Sequence, residues 1–153
     1  MDFKNLIEIR KKKELSQRQL AKILNVSKST YARWETQEEI ITLKHLNDFC
    51  NYFKVSMDFV LKLDSNNNFN LYDYSKKIDK ARIGNTIKMI RKKNNLTQKD
   101  LANLLNTSQS TISAYENGKT LVLTAFVYSL AIQFNIPSDI ICNRIKKRKY
   151  EKV

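Results

Sequence analysis

The chain has 153 residues, with 28 Lys and Arg against 15 Asp and Glu, a formal net charge of +13 and a pI near 9.8. Only two Gly and one Pro argue against a turn-rich β design, so helices are expected. Two Cys outside any Cys-x-x-Cys or Cys/His grouping, and no run of about 18 apolar residues, argue against a disulfide scaffold, a metal cluster and a membrane-spanning helix. The chain opens directly into helical periodicity at Met1-Asp2-Phe3-Lys4, without the apolar core of a signal peptide. A cytoplasmic protein with reduced thiols, no cofactor and no membrane partner is the expectation.

From the N-terminus, Asp2 is placed to cap a first helix carrying Phe3, Leu6, Ile7 and Arg10 at three- and four-residue spacing and running to about Glu14. Ser16 then caps a second helix, with Leu20 and Leu24 inward and Ala21 small enough for a third helix to cross closely. Asn25 suits the left-handed turn between them. Ser27 caps the third helix, on which Tyr31 and Trp34 face inward and Lys28, Ser29 and Arg33 outward.

Residues 64–78, with the Asn-rich stretch Asn66-Asn67-Asn68-Phe69-Asn70, read as a linker, and the aromatic Phe69, Tyr72 and Tyr74 with Leu71 suggest that part of it docks on a domain. The pattern then starts again. Ile83, Ile87, Ile90 and Arg91 share one helix face; Thr97 caps a helix with Leu101, Ala102 and Leu105; Asn106 turns the chain; Ser108 caps a helix with Ile112 and Tyr115 inward and Gln109, Ser110 and Ala114 outward.

This is a duplication at an offset of 81 residues. Leu15–Glu35 and Leu96–Glu116 match at 10 of 21 positions without a gap. The period is too long, and the copies too few, for a solenoid, which leaves two compact units: 1–63, and 79–153 with a basic helical end at Arg144, Lys146, Lys147, Arg148 and Lys149. Charge is unequal between them, with 12 basic against 8 acidic residues in 1–63 and 13 against 4 in 81–153. A basic chain built on a helix-turn-helix, whose second helix crosses the phosphate backbone while the third enters the major groove, points to double-stranded DNA.

At these residues the chain resembles the Cro and phage-repressor (XRE) family. The second copy is the closer match, through Ile83-Gly84-Asn85, Ile87, Arg91, Leu96-Thr97-Gln98, Leu101-Ala102, Ser110-Thr111-Ile112-Ser113 and Tyr115-Glu116-Asn117-Gly118-Lys119. The resemblance implies an all-α chain of two tandem lambda-repressor-like five-helix domains. Leu46, Phe49, Phe53, Val55 and Asp58 align with Val127, Leu130, Phe134, Ile136 and Asp139 as the fourth and fifth helices. It also implies structural ion pairs Arg10–Glu35 and Arg91–Glu116, and sequence-specific DNA binding that usually represses transcription.

On that reading Gln17, Arg18, Gln98, Lys99, Asn117, Gly118 and Lys119 hold phosphates, Gln17 and Gln98 alongside exposed helix N–H groups. Gln109 takes a bidentate pair on adenine, Ser110 bonds either kind of base and Ala114 meets a thymine methyl, whereas Lys28, Ser29 and Arg33 lean toward guanine. Two unlike readers in one chain suggest an asymmetric composite operator, and a homodimer bearing four readers is also permitted. The first copy carries Thr36-Gln37-Glu38-Glu39 where the second has Asn117-Gly118-Lys119, so it should hold DNA less firmly. The alternative is an adaptor or antitoxin whose residues 1–63 bind a protein partner, motivated by Glu38-Glu39 with Tyr31 and Trp34. An enzyme is not expected: the one histidine, His45, sits on an amphipathic helix, and neither a Gly-rich phosphate loop nor a carboxylate cluster is present.

Overall fold

A computed structural model describes residues 1–64 and 72–146. Among these residues there are ten helices, and the only strand-like pairing is one isolated bridge between Tyr72 and Ile145. The first unit comprises α1 (Lys4–Lys12), α2 (Gln17–Ile23), α3 (Lys28–Glu35), α4 (Leu43–Phe53) and α5 (Met57–Val60). The second comprises α6 (Lys80–Lys93), α7 (Gln98–Leu104), α8 (Gln109–Glu116), α9 (Thr124–Phe134) and α10 (Ser138–Ile141). This is the expected all-α pair of tandem five-helix units.

Local chemistry sets the helix boundaries. Ser16 Oγ accepts from Gln19 N while Gln19 Oε1 accepts from Ser16 N, and Thr97 and Asp100 form the same reciprocal box at the start of α7. Ser27 and Ser108 cap α3 and α8 by accepting from Thr30 N and Thr111 N. The first helix departs from expectation at both ends. Asp2 accepts from Lys4 N at 2.8 Å but the cap position falls to Phe3, and the helix stops at Lys12 because Glu14 turns left-handed and Leu15 N bonds back to Arg10 O.

Every residue with positive φ among those described has its counterpart 81 positions away. The pairs are Glu14 and Asn95, Asn25 and Asn106, Gln37 and Gly118, Lys54 and Asn135, Lys62 and Asn143. The second unit places Asn or Gly at all five turns, residues that tolerate this conformation, whereas the first does so only at Asn25.

Each core forms around the inward faces of its first four helices. Leu6, Leu20, Tyr31, Trp34, Leu46 and Phe49 are buried in the first, and Ile83, Leu101, Ile112, Val127 and Leu130 in the second. Ala21 and Ala102 are both 2% exposed at the close helix crossing. The His45 ring packs on Trp34 at 5.2 Å, as Phe126 does on Tyr115 at 5.0 Å, so His45 belongs to the core edge. Gly84 has a specific reason to be glycine: a Cβ there would come within 2.1 Å of Tyr115 O, where α6 lies against α8.

The units meet through their last helices. Asp58 Oδ1 accepts from Ser138 N at 2.9 Å and from Ser138 Oγ, while Asp139 accepts from Met57 N at 3.1 Å and Asp58 N at 3.3 Å. Thr124 Oγ1 donates to Ile41 O at 2.6 Å. The basic end differs from expectation. The last helix stops at Ile141, and Arg144, expected on a solvated helical extension, is fully buried. Its Nε donates to Asp139 Oδ1 at 2.9 Å, and its Nη1 donates to Asn47 and to Asn51 at 2.8 Å, both on α4 of the first unit. A buried guanidinium needs such partners, and the turn at Asn143 delivers it to them. Lys146 is exposed; Lys147, Arg148 and Lys149 lie outside the described residues.

Of the segment expected as a linker, Ser65 to Leu71 lie outside the described residues. Tyr72 is buried, Asp73 N donates to Arg144 O at 2.7 Å, and Lys76 O accepts from both Asn47 Nδ2 and Asn51 Nδ2. Residues 72–76 thus lie against the same α4 surface that receives Arg144.

Candidate nucleic-acid interface

Each unit holds its third helix with a three-residue lock. Arg10 Nε and Nη2 meet Glu35 Oε1 and Oε2 at 2.6 and 3.0 Å, and Arg91 meets Glu116 at 2.5 and 3.0 Å. Gln17 Nε2 and Gln98 Nε2 donate to the same carboxylates at 2.7 and 3.0 Å. The remaining guanidinium Nη1 donates to the carbonyl opening the next turn, Leu15 O or Leu96 O. One carboxylate therefore ties the first helix, the start of the second and the end of the third. Burial disfavours ionisation of Glu35 and Glu116, but the bonds from Arg and Gln outweigh it and hold both carboxyls below their ordinary range.

The side chains expected to read bases divide by surroundings. Lys28, Ser29, Gln109 and Ser110 are exposed at the starts of α3 and α8, and Ala114 is half-buried. Ser29 and Ser110 share their hydroxyls with the capping Ser27 and Ser108 at 3.1 and 3.0 Å. Arg33 is half exposed and faces Glu39 Oε2 at 3.4 Å, so part of its charge is already matched.

The side chains expected on phosphates are distributed as follows. Arg18, Lys99, Asn117 and Lys119 are exposed, while Gln17 and Gln98 are half-buried with one amide hydrogen committed to glutamate. Gly118 takes φ +67° in the loop after α8, where Ala81 lies 3.0 Å from the position of a Cβ. Gln37 takes the same turn after α3 at φ 64°. Lys80, not singled out from sequence, donates to Lys119 O at 3.3 Å and adds a second cation beside that loop. The helix start behind Asp79, which caps α6 by accepting from Ala81 N and Arg82 N, was the signal for it.

Tyr31 and Trp34 are buried at 0% and 1%, so the aromatic part of the protein-docking alternative has no surface. Among the described residues no group of His, Cys, Asp and Glu could hold a metal ion, and no helix is long and apolar enough to cross a membrane. Cys50 and Cys142 are free and fully enclosed, and burial pushes both thiols well above their ordinary range.

A capped helix-turn-helix that occurs twice, with an open third-helix face and cations around it, defines a class of DNA-binding proteins. A family model described as helix-turn-helix matches residues 6–60 and 87–141, the two matches offset by the same 81 positions as the repeat. The chain belongs to this family, of the Cro and phage-repressor (XRE) type, whose domains make it a DNA-binding transcription regulator; the family is not one of enzymes. A comparison with curated proteins finds no match to the chain.

Proposed function

We propose that the protein is a cytoplasmic repressor that binds a composite operator, with α3 and α8 each reading one half-site. The observation that carries this is the pair of unlike outward faces, exposed Lys28, Ser29 and Arg33 against exposed Gln109 and Ser110 with half-buried Ala114, held by equivalent Arg–Glu–Gln locks. Gln109 fits an adenine edge, Ser110 a donor or acceptor on either kind of base and Ala114 a thymine methyl. Lys28, Ser29 and Arg33 favour guanine acceptors. Gln17, Arg18, Gln98, Lys99, Asn117, Gly118 and Lys119 contact phosphates and set register without reading sequence.

The second unit is the firmer binder. Its post-helix loop presents Gly118, Lys119 and Lys80, where the first presents Glu38 and Glu39. Selection of bound duplexes from a random pool, with the intact chain and with a chain altered to Ala at Lys28, Ser29 and Arg33, tests the proposal. An asymmetric two-part motif that loses one half in the altered chain is expected. The same motif from both chains would remove the first unit from DNA and leave it to a protein partner. Placing the selected site in a reporter promoter then tests repression, and increased expression would overturn it.

A further inference from the structure

The contacts between the units are reciprocal. Asp58 of the first accepts from Ser138 of the second, and Asp139, the counterpart of Asp58, accepts from Met57, the counterpart of Ser138. Exchange of partners between equivalent positions is the mark of an isologous interface, in which a patch meets its own copy across a two-fold axis. Repeats related by simple translation would pair unlike patches. The relation recurs in a cleft where Ile40, Ile41 and Leu43 face Leu121, Val122 and Thr124, the residues 81 positions on from the first three. These two loops directly follow the third helices, α3 ending at Glu35 and α8 at Glu116. The readers therefore flank the same end of one axis.

We infer that a single copy of the chain reads two unlike half-sites in inverted orientation at one fixed separation, about one DNA turn, and that Arg144 is the positioning residue that fixes it. The inference rests on the DNA-binding reading above. An axis of this kind aimed at the duplex turns the two reading helices opposite ways along it, so each half-site is read on the opposite strand. An unattached pair of domains on a flexible connection would accept direct and inverted arrangements alike.

Fixity comes from what the interface buries. Ser138, Asp139 and Arg144 are fully enclosed, and Thr124 and Asn47 are each 2% exposed. Arg144 joins the units directly, bonding Asp139 on one side and Asn47 and Asn51 on the other. Swinging one unit away would break at once the bonds from Arg144 to Asn47 and Asn51, those from Met57 N and Asp58 N to Asp139, and those from Ser138 to Asp58, leaving the Arg144 side chain only its bond to Asp139. Arg144 belongs to neither α3 nor α8, so its influence on binding passes through the geometry of the two readers.

The test uses the full chain and duplexes carrying the two selected half-sites, inverted or direct, with spacing changed base pair by base pair through about half a helical turn. Binding at one inverted spacing, one chain per duplex, with affinity about 10²-fold or more above the better half-site alone is expected. Indifference to orientation or spacing, or two chains per duplex, would overturn the inference while leaving half-site recognition intact. Absence of sequence preference on each isolated half-site would instead overturn the DNA-reading proposal. The Arg144→Gln chain should keep its affinity for the isolated second half-site and broaden the spacing profile; an equal loss on isolated and paired sites would remove Arg144 from its positioning role.

Discussion

Asp58 and Asp139 occupy equivalent positions in the two units and each accepts hydrogen bonds from the start of the other's last helix, yet among the described residues only Asp139 also has a cation, with Arg144 Nε at 2.9 Å. The pseudo-symmetry is broken at the point where it matters most for charge. Burial pushes the Asp58 carboxyl above its ordinary value, the bonds from Ser138 partly offset this, and the neighbouring charge of Asp139 adds to the rise.

Replacing the two carboxylates should have unequal effects. Asp139→Asn leaves Arg144 buried without a counter-charge and should cost roughly 3–5 kcal/mol. Asp58→Asn keeps an acceptor for Ser138 and should cost far less. A group whose pKa is raised by folding contributes stability below its unfolded pKa, and that contribution is lost as pH rises through the folded value. Asp58→Asn should therefore gain on the unaltered chain between about pH 4 and neutrality, as measured by urea unfolding across that range.

The locks at Glu35 and Glu116 titrate with the opposite sign. Their folded pKa values lie below the unfolded ones, so their stabilisation is present above about pH 4.3 and disappears as pH falls through the folded values. Glu116→Gln should destabilise by about 3 kcal/mol near neutrality and flatten the acid limb of the stability curve. A variant with an acid limb as steep as the original would count against this role.

Substitutions on the second reader should separate affinity from specificity. Lys119→Ala should weaken binding to all sequences and reduce the slope of log K against log salt by about one unit. The double change of Gln109 and Ser110 to Ala should cost about 1–3 kcal/mol on the preferred site and little on random DNA. Equal losses on both would move Gln109 out of base reading. Titration of fluorescent duplexes over a salt series gives both quantities.

Backbone strain in the first unit can be relieved. Gln37 and Lys54 adopt φ of 64° and 54° where the second unit has Gly118 and Asn135. Gln37→Gly and Lys54→Asn should each stabilise by about 1 kcal/mol, since left-handed conformations cost ordinary residues about that much. Thermal unfolding of the full chain is the check.

Gly84→Ala should be strongly destabilising, because its methyl group would meet the Tyr115 carbonyl at 2.1 Å and force α6 off α8. A loss of helical content or of thermal stability under conditions where the original chain is folded is the expected result. The corresponding position in the first unit is Phe3, which precedes α1, so that unit has no equivalent constraint.

The legible features were local ones. Ser16, Ser27, Thr97 and Ser108 announce helix starts, and Asn25 and Asn106 announce the tight turn, because each acts within four residues of itself. The Arg–Glu locks came from the family resemblance, since a separation of 25 residues leaves no periodic trace. The inter-unit surface was hidden for the same reason at greater range. Asp58 and Asp139 look in sequence like helix-start residues, and nothing near Arg144 shows that its partners include Asn47, 97 residues earlier. A run of cations at a chain end reads as solvated until the fold supplies a buried carboxylate.

That separation also orders assembly. During synthesis the first unit emerges with Asn47, Asn51 and the beginning of α5 facing water, and its partners at Ser138, Asp139 and Arg144 follow only after the second unit has been made. Contacts so distant in sequence carry a large loop-closure entropy, the separation between Asn47 and Arg144 being 97 residues. The bearing of α3 toward α8 therefore depends on contacts that cannot form until the chain has been made as far as Arg144.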